Sequence, residues 1–215
     1  MGTTGKINTA RLADIVGPRS VAVVGASEDL GKFGGRALHH LIKHGFQSRI
    51  VPINPKRPNL FGLPAAPTIV AAGPVDVALI ALPADQLVSC IEDCATAGVR
   101  AAVIITAQMA EVGGEGAARQ QRIVEVARAS GMRIVGPNCL GLINTRARLA
   151  LTASFAMGVE RLPIGPIGVI SQSGALMATM FSRGYDFGVG FSTLVSVGNQ
   201  ADVTENEVLI RAFDL

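Results

Sequence analysis

Residues 20–44 read SVAVVGASEDLGKFGGRALHHLIKH. Val21-Ala22-Val23-Val24 is a short, β-branched, apolar run of the kind that forms a buried parallel strand. Gly25 breaks it. A glycine-rich loop, GASEDLGKFGG, follows, and Leu38, Leu41 and Ile42 then recur at helical spacing. A strand, a glycine loop and a helix start form the opening of a βαβ unit. The unpaired amides of the first helical turn, together with the helix dipole, favour an anion there. The loop therefore predicts a phosphate-bearing, nucleotide-like ligand.

Working outward, strands are expected at 20–24, 49–53, 75–82, 101–106 and 133–135, with helices after the glycine loop, over 85–97 and over 117–130. Glycine, proline and small polar residues punctuate the connections. Regular strand–helix alternation predicts an α/β fold, a Rossmann-like doubly wound parallel sheet. Residues up to Arg19 read as a short amphipathic lead-in. From 145 to 163 the pattern lapses and reads as irregular chain. A second α/β unit, the start of a flavodoxin-like domain, follows. Its strands are expected at 166–170 and 190–197, its first helix at 175–183, and Asp202 or Thr204 as the cap of a last helix. The expected division is 1–145, a linker 146–165, and 166–215. Two strands and two helices rarely hold a core alone. The last segment is expected to pack on the first, to meet a partner, or to belong to a longer chain.

Composition narrows the function classes. Of 215 residues, 49% are hydrophobic and 16% charged, which supplies a large core and argues against disorder. The net charge of +3 comes without a Lys/Arg cluster interleaved with aromatics, so nucleic acid is not the expected partner. No apolar run is long enough for a bilayer, and the N-terminus lacks the apolar core of a signal peptide; a soluble cytoplasmic protein is expected. Cys90, Cys94 and Cys139 make no disulfide or zinc pattern and read as small buried residues of a reducing compartment. His39, His40 and His44 all fall on the first helix and read as surface or packing residues. No metal site and no catalytic group is expected.

The strand ends limit the ligand. In an open α/β sheet it lies over the carboxyl ends, here Gly25–Ser27, Asn54–Lys56, Leu82-Pro83, Ile105-Thr106 and Gly136–Asn138. The strict G-x-G-x-x-G of a dinucleotide site is broken, and the second strand ends in Asn54-Pro55-Lys56 without the acid that would hold a ribose. Asn54 could meet a ribose or adenine. A basic Lys56 suits a ligand with an extra phosphate, NADP or coenzyme A; Lys56 and Arg57 also suit a solvated turn. Ser173 sits at a strand-to-helix turn, but Ser171 stands where a nucleophile elbow needs glycine, and no histidine follows.

Taken in order, VAVVGAS (21–27), GKFGG (31–35), INPK (53–56), Leu82-Pro83, GPNCLG (136–141), GVISQSGA (168–175) and SVGNQADV (196–203) resemble the NDP-forming acyl-CoA synthetases. That family includes the ADP-forming acetate–CoA ligases and is related to the succinyl-CoA synthetase α subunit. The resemblance runs from about Ser20 to the last residues, and GPNCLG with SQSGA at that separation is its specific part. It implies a CoA-binding domain in which Ser27 and Gly31, Lys32, Phe33 and Gly34 surround the CoA phosphates and pantetheine. Lys56 then stands at the nucleotide end, and Ile105, Thr106, Ala107 and Asn138 face the pantetheine arm. Gly25, Asn54 and Pro83 complete the expected CoA set. Ser173 and Gly174 would bind the phosphate of a phosphohistidine.

The family joins an acid to CoA with ATP, through an acyl phosphate and that histidine. The chain has no histidine after His44, so the phosphohistidine and the ATP-grasp part, with ATP and Mg, are expected from further chain or a β-type subunit. An oligomer is expected. The alternative is a stand-alone or regulatory module that binds CoA or acyl-CoA. One departure stands out: the family's Gly-Phe pair after the fourth strand is here Gln108-Met109.

Overall fold

A computed structural model describes residues 12–212; residues 1–11 of the expected lead-in lie outside the described residues. In chain order the elements are α1 (Leu12–Val16), β1 (Ser20–Val24), α2 (Phe33–Lys43), β2 (Arg49–Ile53), β3 (Asn59–Leu60), β4 (Leu63–Pro64), α3 (Ile69–Ala72), β5 (Val77–Ile80), α4 (Leu87–Thr96), β6 (Ala101–Ile104), α5 (Gly114–Ser130) and β7 (Arg133–Val135). They continue with β8 (Gly141–Asn144), β9 (Leu149–Thr152), β10 (Ile164–Ser171), α6 (Gly174–Asp186), β11 (Phe191–Ser196) and α7 (Glu205–Ala212).

The first sheet is wholly parallel and runs β2-β1-β5-β6-β7. Strand order reverses between β1 and β5, the position where a doubly wound sheet opens a crevice for a ligand. Strand residues alternate between two cores, as the pleat requires. Ala22, Val24, Ala78, Ile80, Ala102 and Ile104 pack with Leu87, Ile91, Ile123 and Ala127 of α4 and α5. Val21, Val23, Val77, Leu79 and Val103 face the other way, onto Leu38 and Leu41 of α2.

That second core does not stop at the first sheet. It continues into Leu142, Leu149, Leu151 and Val195 of a four-stranded sheet, β10-β11-β8-β9. Here β10 and β11 are parallel, while β8 pairs antiparallel with both β11 and β9. The last segment therefore packs on the first through a shared core. The stretch 145–163, expected to be irregular, holds β9 and a short 3-10 turn, Phe155–Gly158. All four residues of β9 are buried, so it shows no alternation that would mark a strand in sequence. The strand at 141–144 was not expected either. It begins immediately after the GPNCLG turn, and Gly141 is held at φ +97° against the backbone of Leu151 and Thr152.

The remaining differences are at element ends. The strands expected over 75–82 and 101–106 close at Ile80 and Ile104, and the helix expected from 117 starts at Gly114. Thr204 caps α7, its Oγ1 accepting from the Glu207 amide at 3.2 Å. Asp202 instead pairs with Arg133 at 2.7 Å, and Glu207 takes the other side of the same guanidinium at 2.7 Å. This fork joins β7 to α7, and the hydrogen bonds that Arg133 donates to Glu207 raise the arginine's pKa further. No helix among the described residues is long and apolar enough to cross a membrane.

Candidate functional site

The crevice at the strand reversal is a groove made of two adjoining cavities, of about 680 Å³ and about 650 Å³, that share Gly25, Lys32, Leu82 and Pro83. One end takes in Gly31, Phe33, Gly34, Thr106 and Ala107. The other takes in Ser27, Asn54 and Lys56. The topology thus brings eleven of the thirteen expected CoA residues to one groove. Ile105 is 5% exposed and sits in the core behind it. Asn138 stands outside the groove lining. Its N–H donates to the Thr106 carbonyl at 3.0 Å, and its side-chain amide donates to Asn199 Oδ1 at 3.3 Å.

The glycine loop is built for close approach. Gly25 has φ +82°, and a Cβ there would strike the Ala81 carbonyl. A Cβ on Gly34 would strike the carbonyl of Gly25, so the start of α2 lies directly on the end of β1. The loop between is held by its own side chains: Ser27 Oγ accepts from the Asp29 amide at 3.0 Å, and Asp29 Oδ1 from the Gly31 amide at 2.8 Å. Lys32 is the N-cap of α2 and provides no side-chain cap. Among the described residues no protein acceptor meets the amides of Phe33, Gly34 and Gly35. The positive end of the helix, with Phe33 and Gly34 on the lining, therefore faces the groove.

The charges around the groove agree with this. Lys32, Lys56 and Arg119 line it, and none of them forms an ion pair among the described residues. Arg57 next door is neutralised by Glu28 at 3.0 Å, so the solvated-turn reading suits Arg57 rather than Lys56. Asn54 is a positioning residue. Its Nδ2 donates to the Ala26 carbonyl at 2.9 Å, while its Oδ1 accepts from the amides of Lys56 (2.8 Å) and Arg57 (3.0 Å). It ties the end of β2 to the glycine loop and aims Lys56. The carboxylates on the lining are Asp85, in the turn before α4, and Asp93, on α4.

Three lining or wall features stand here, of which Arg119 and Glu111 escaped the sequence reading and the Gln108-Met109 departure did not. Arg119 comes from α5, and its guanidinium donates to the Gln108 carbonyl at 3.0 Å; nothing in its helical context marks it. Gln108 holds φ +67°, a glycine-like conformation, and Met109 beside it is fully buried. The Gln-Met pair thus reproduces a glycine-like turn and a buried apolar plug. The third is Glu111, which fixes this turn by accepting from the amides of Gln108 (2.6 Å) and Met109 (3.1 Å), and which also bonds Asn199. Burial pushes the Glu111 carboxyl up, but these hydrogen bonds outweigh it and hold the group below its ordinary value.

The second candidate corner is Ser171–Gly174. Ser173 is the N-cap of α6, with Oγ accepting from the Leu176 amide at 3.2 Å, and Ser171 Oγ donates to the Ser173 carbonyl at 2.9 Å. The turn 197–201 binds this corner to the GPNCLG turn. Val197 N–H donates to Ser171 O (3.0 Å), Asn199 N–H to Pro137 O (2.9 Å) and Ala201 N–H to Gly136 O (3.1 Å). The three motifs, far apart in sequence, are one hydrogen-bonded assembly. Cys139 lies inside it; burial pushes its thiol up to about 12, and Sγ donates to the Ile104 carbonyl. Cys90 and Cys94 are buried as free thiols against the first sheet.

The CoA binding domain family matches residues 19–145, and the succinyl-CoA ligase like flavodoxin domain matches residues 164–213. An ADP-forming acetate–CoA ligase of Methanocaldococcus jannaschii is 38% identical over 89% of this chain and 26% of its own length. The α subunit of the ADP-forming acetate–CoA ligase I of Pyrococcus furiosus is 37% identical over 92% of this chain and 43% of its own. The solved dinucleotide-forming acetyl-coenzyme A synthetase 1 of Ca. Korarchaeum cryptofilum, in complex with phosphate and ADP, superposes with a TM-score of 0.87 at 37% identity. It covers 94% of this chain and 42% of that one. The chain therefore spans between about a quarter and less than half the length of these relatives.

Proposed function

The chain belongs to the CoA binding domain family, in the form shared with the NDP-forming acyl-CoA synthetases, and from that premise we propose that its groove holds coenzyme A. The observation that carries the reading is the α2 start. The amides of Phe33, Gly34 and Gly35, unmet among the described residues, stand with Lys32 and Lys56, which form no ion pair among those residues, at a sheet end with no ribose-binding acid. The CoA diphosphate lies on the Ser27 and Gly31–Gly34 loop, against Gly25. Lys56, aimed by Asn54, meets the 3′-phosphate. The pantetheine arm runs past Pro83, Thr106 and Ala107, with Ile105 as its backing, toward Asn138 and the Ser173-Gly174 corner, which takes a phosphoryl group.

In this reading the chain is the CoA-binding portion of an enzyme that converts acid, CoA and ATP to acyl-CoA, ADP and phosphate. The activities of these relatives and the fraction of their length matched support it. ATP and Mg act through an ATP-grasp part, and a phosphorylated histidine comes from further chain or a partner subunit within an oligomer. None of this chain's histidines suits that role: His40 and His44 are buried and bonded to backbone carbonyls, and His39 lies tilted against the Phe61 ring at 5.7 Å. The division 1–145, 146–165 and 166–215 goes with this reading.

Calorimetry tests it. Micromolar binding of CoA or acetyl-CoA and none of NADH is expected; binding of NADH without CoA would sink the proposal. The 215-residue chain given acid, ATP and CoA should form no acyl-CoA, and turnover without an added subunit would refute the division of labour.

A further inference from the structure

One buried charge lies directly behind the groove. Arg36, in the first turn of α2, is 5% exposed, and among the described residues it has no acidic partner. Its Nη1 donates to the carbonyls of Leu30 (2.9 Å) and Gly31 (3.0 Å), the last residues of the glycine loop before Lys32. Its Nε donates the other way, to the Ala153 carbonyl at 2.8 Å. The guanidinium lies between two rings, 4.0 Å from the centroid of Phe155 and 5.0 Å from that of Phe33. A fork of rigid donors fits this task, because it can hold two carbonyls on one side and one on the other. A lysine could hold only a point.

Arg36 is the first member of a row. His40 and His44 follow at i+4 and i+8 on the same helix face. His40 Nδ1 meets Thr152 O at 2.9 Å and His44 Nε2 meets Met157 O at 3.0 Å; since carbonyls only accept, each ring nitrogen donates. Lys43 adds a bond to Gly158 O at 2.7 Å. Three side chains of α2 and that of its C-cap His44 thus clasp one strap, residues 152–158, which runs on into β10 and the Ser171–Gly174 corner. A buried cation without a carboxylate is expensive to keep. Its retention here has a purpose if an anion arrives on the amides a turn away.

We propose that Arg36 is a positioning residue for the groove. It fixes Leu30 and Gly31 so that the amides of 33–35 stay open to an anion, and through Ala153 and Phe155 it makes the affinity of the groove depend on the strap of the second sheet. The inference rests on the reading of the groove as a CoA site.

Calorimetry of the whole chain with CoA, beside amide exchange of the free protein, tests it. Arg36→Met should weaken CoA about tenfold or more and speed exchange at Gly31 and 33–35 by about as much, with β5 and β6 unchanged. Guanidinium at about 10 mM should restore most of the affinity lost in Arg36→Ala and none of that lost in Gly34→Val, a rescue that lowered global stability would not show. Phe155→Ala, outside the groove lining, should weaken CoA about threefold. It carries the test if the Arg36 variants do not fold. Wild-type affinity and wild-type loop exchange in a folded Arg36→Met or in Phe155→Ala overturns the proposal. Failure of the wild type to bind CoA overturns the groove reading instead, and the exchange data then judge Arg36 by themselves.

Discussion

The two strand-turn-helix corners use the same physics and differ in who completes them. At α6, Ser173 folds its own hydroxyl onto the Leu176 amide, and Ser171 braces the Ser173 carbonyl. At α2, Lys32 provides no cap, and the first-turn amides meet nothing among the described residues. The first corner is glycine-lined and leaves an unmet need for an anion. At the second, one first-turn amide, that of Leu176, is already met by the Ser173 hydroxyl, so any phosphoryl group there competes with that cap.

The strongest way to break this contrast is to close the first corner. Gly34→Val puts a branched side chain into the Gly25 carbonyl, and CoA affinity should fall by more than about a hundredfold, roughly 3 kcal/mol. Titration that matches wild type would show that the close approach is not used. Acid should loosen the clasp that joins the two corners by a similar amount. Burial, ahead of the charges of His44, His39 and Lys43, pulls His40 from 6.5 down to about 4, and burial also lowers His44. A depressed histidine takes its proton in the unfolded chain first, so stability is constant above about pH 6.5 and falls as the pH drops toward 4. The His40 share is on the order of 3 kcal/mol. Urea midpoints at pH 7 and pH 4.5 measure it, and His40→Gln should flatten the slope.

Smaller changes sharpen the comparison. Lys56→Ala should weaken CoA about tenfold and dephospho-CoA hardly at all; equal losses would remove Lys56 from the 3′-phosphate. Ser173→Ala deletes a helix cap and should cost about 1 kcal/mol of stability in a denaturant melt while leaving CoA binding intact. A loss of CoA affinity there would mean that the corners are not distinct. Gln108→Gly relieves a left-handed residue and should be neutral or stabilising by up to about 1 kcal/mol; clear destabilisation would show that the side chain holds the groove wall.

Much of the site could be read before the structure, because its parts are local. Gly25, Gly31 and Gly34 advertise a turn and a close approach, and Lys56 is conspicuous at a strand end that ought to be acidic. Arg119 gave no such signal. It is one arginine on a polar helix, and only the crossover of α5 over the sheet brings it to Gln108. Arg36 was equally silent. In sequence it is a charged residue in an amphipathic helix, and nothing there says that its face will be covered by residues 152–158. The β8–β9 hairpin was missed for a related reason. Leu142, Leu149 and Leu151 are buried in a core shared by two sheets, so they lack the polar alternation that marks a one-sided strand.

What the sequence determined by itself is everything set within a strand, a turn or a helix start. That covers the parallel α/β sheet, the glycine loop at its first corner, the missing ribose acid and the second corner at Ser173-Gly174. The tertiary structure alone decided what depends on faces meeting. It merged the two sheets into one core, turned Arg36, His40 and His44 from a helix surface into a buried clasp, and left one helix start open while the other was capped. Local sequence sets backbone conformation, whereas burial and partnership depend on which distant segment arrives, and that is a property of the packed chain.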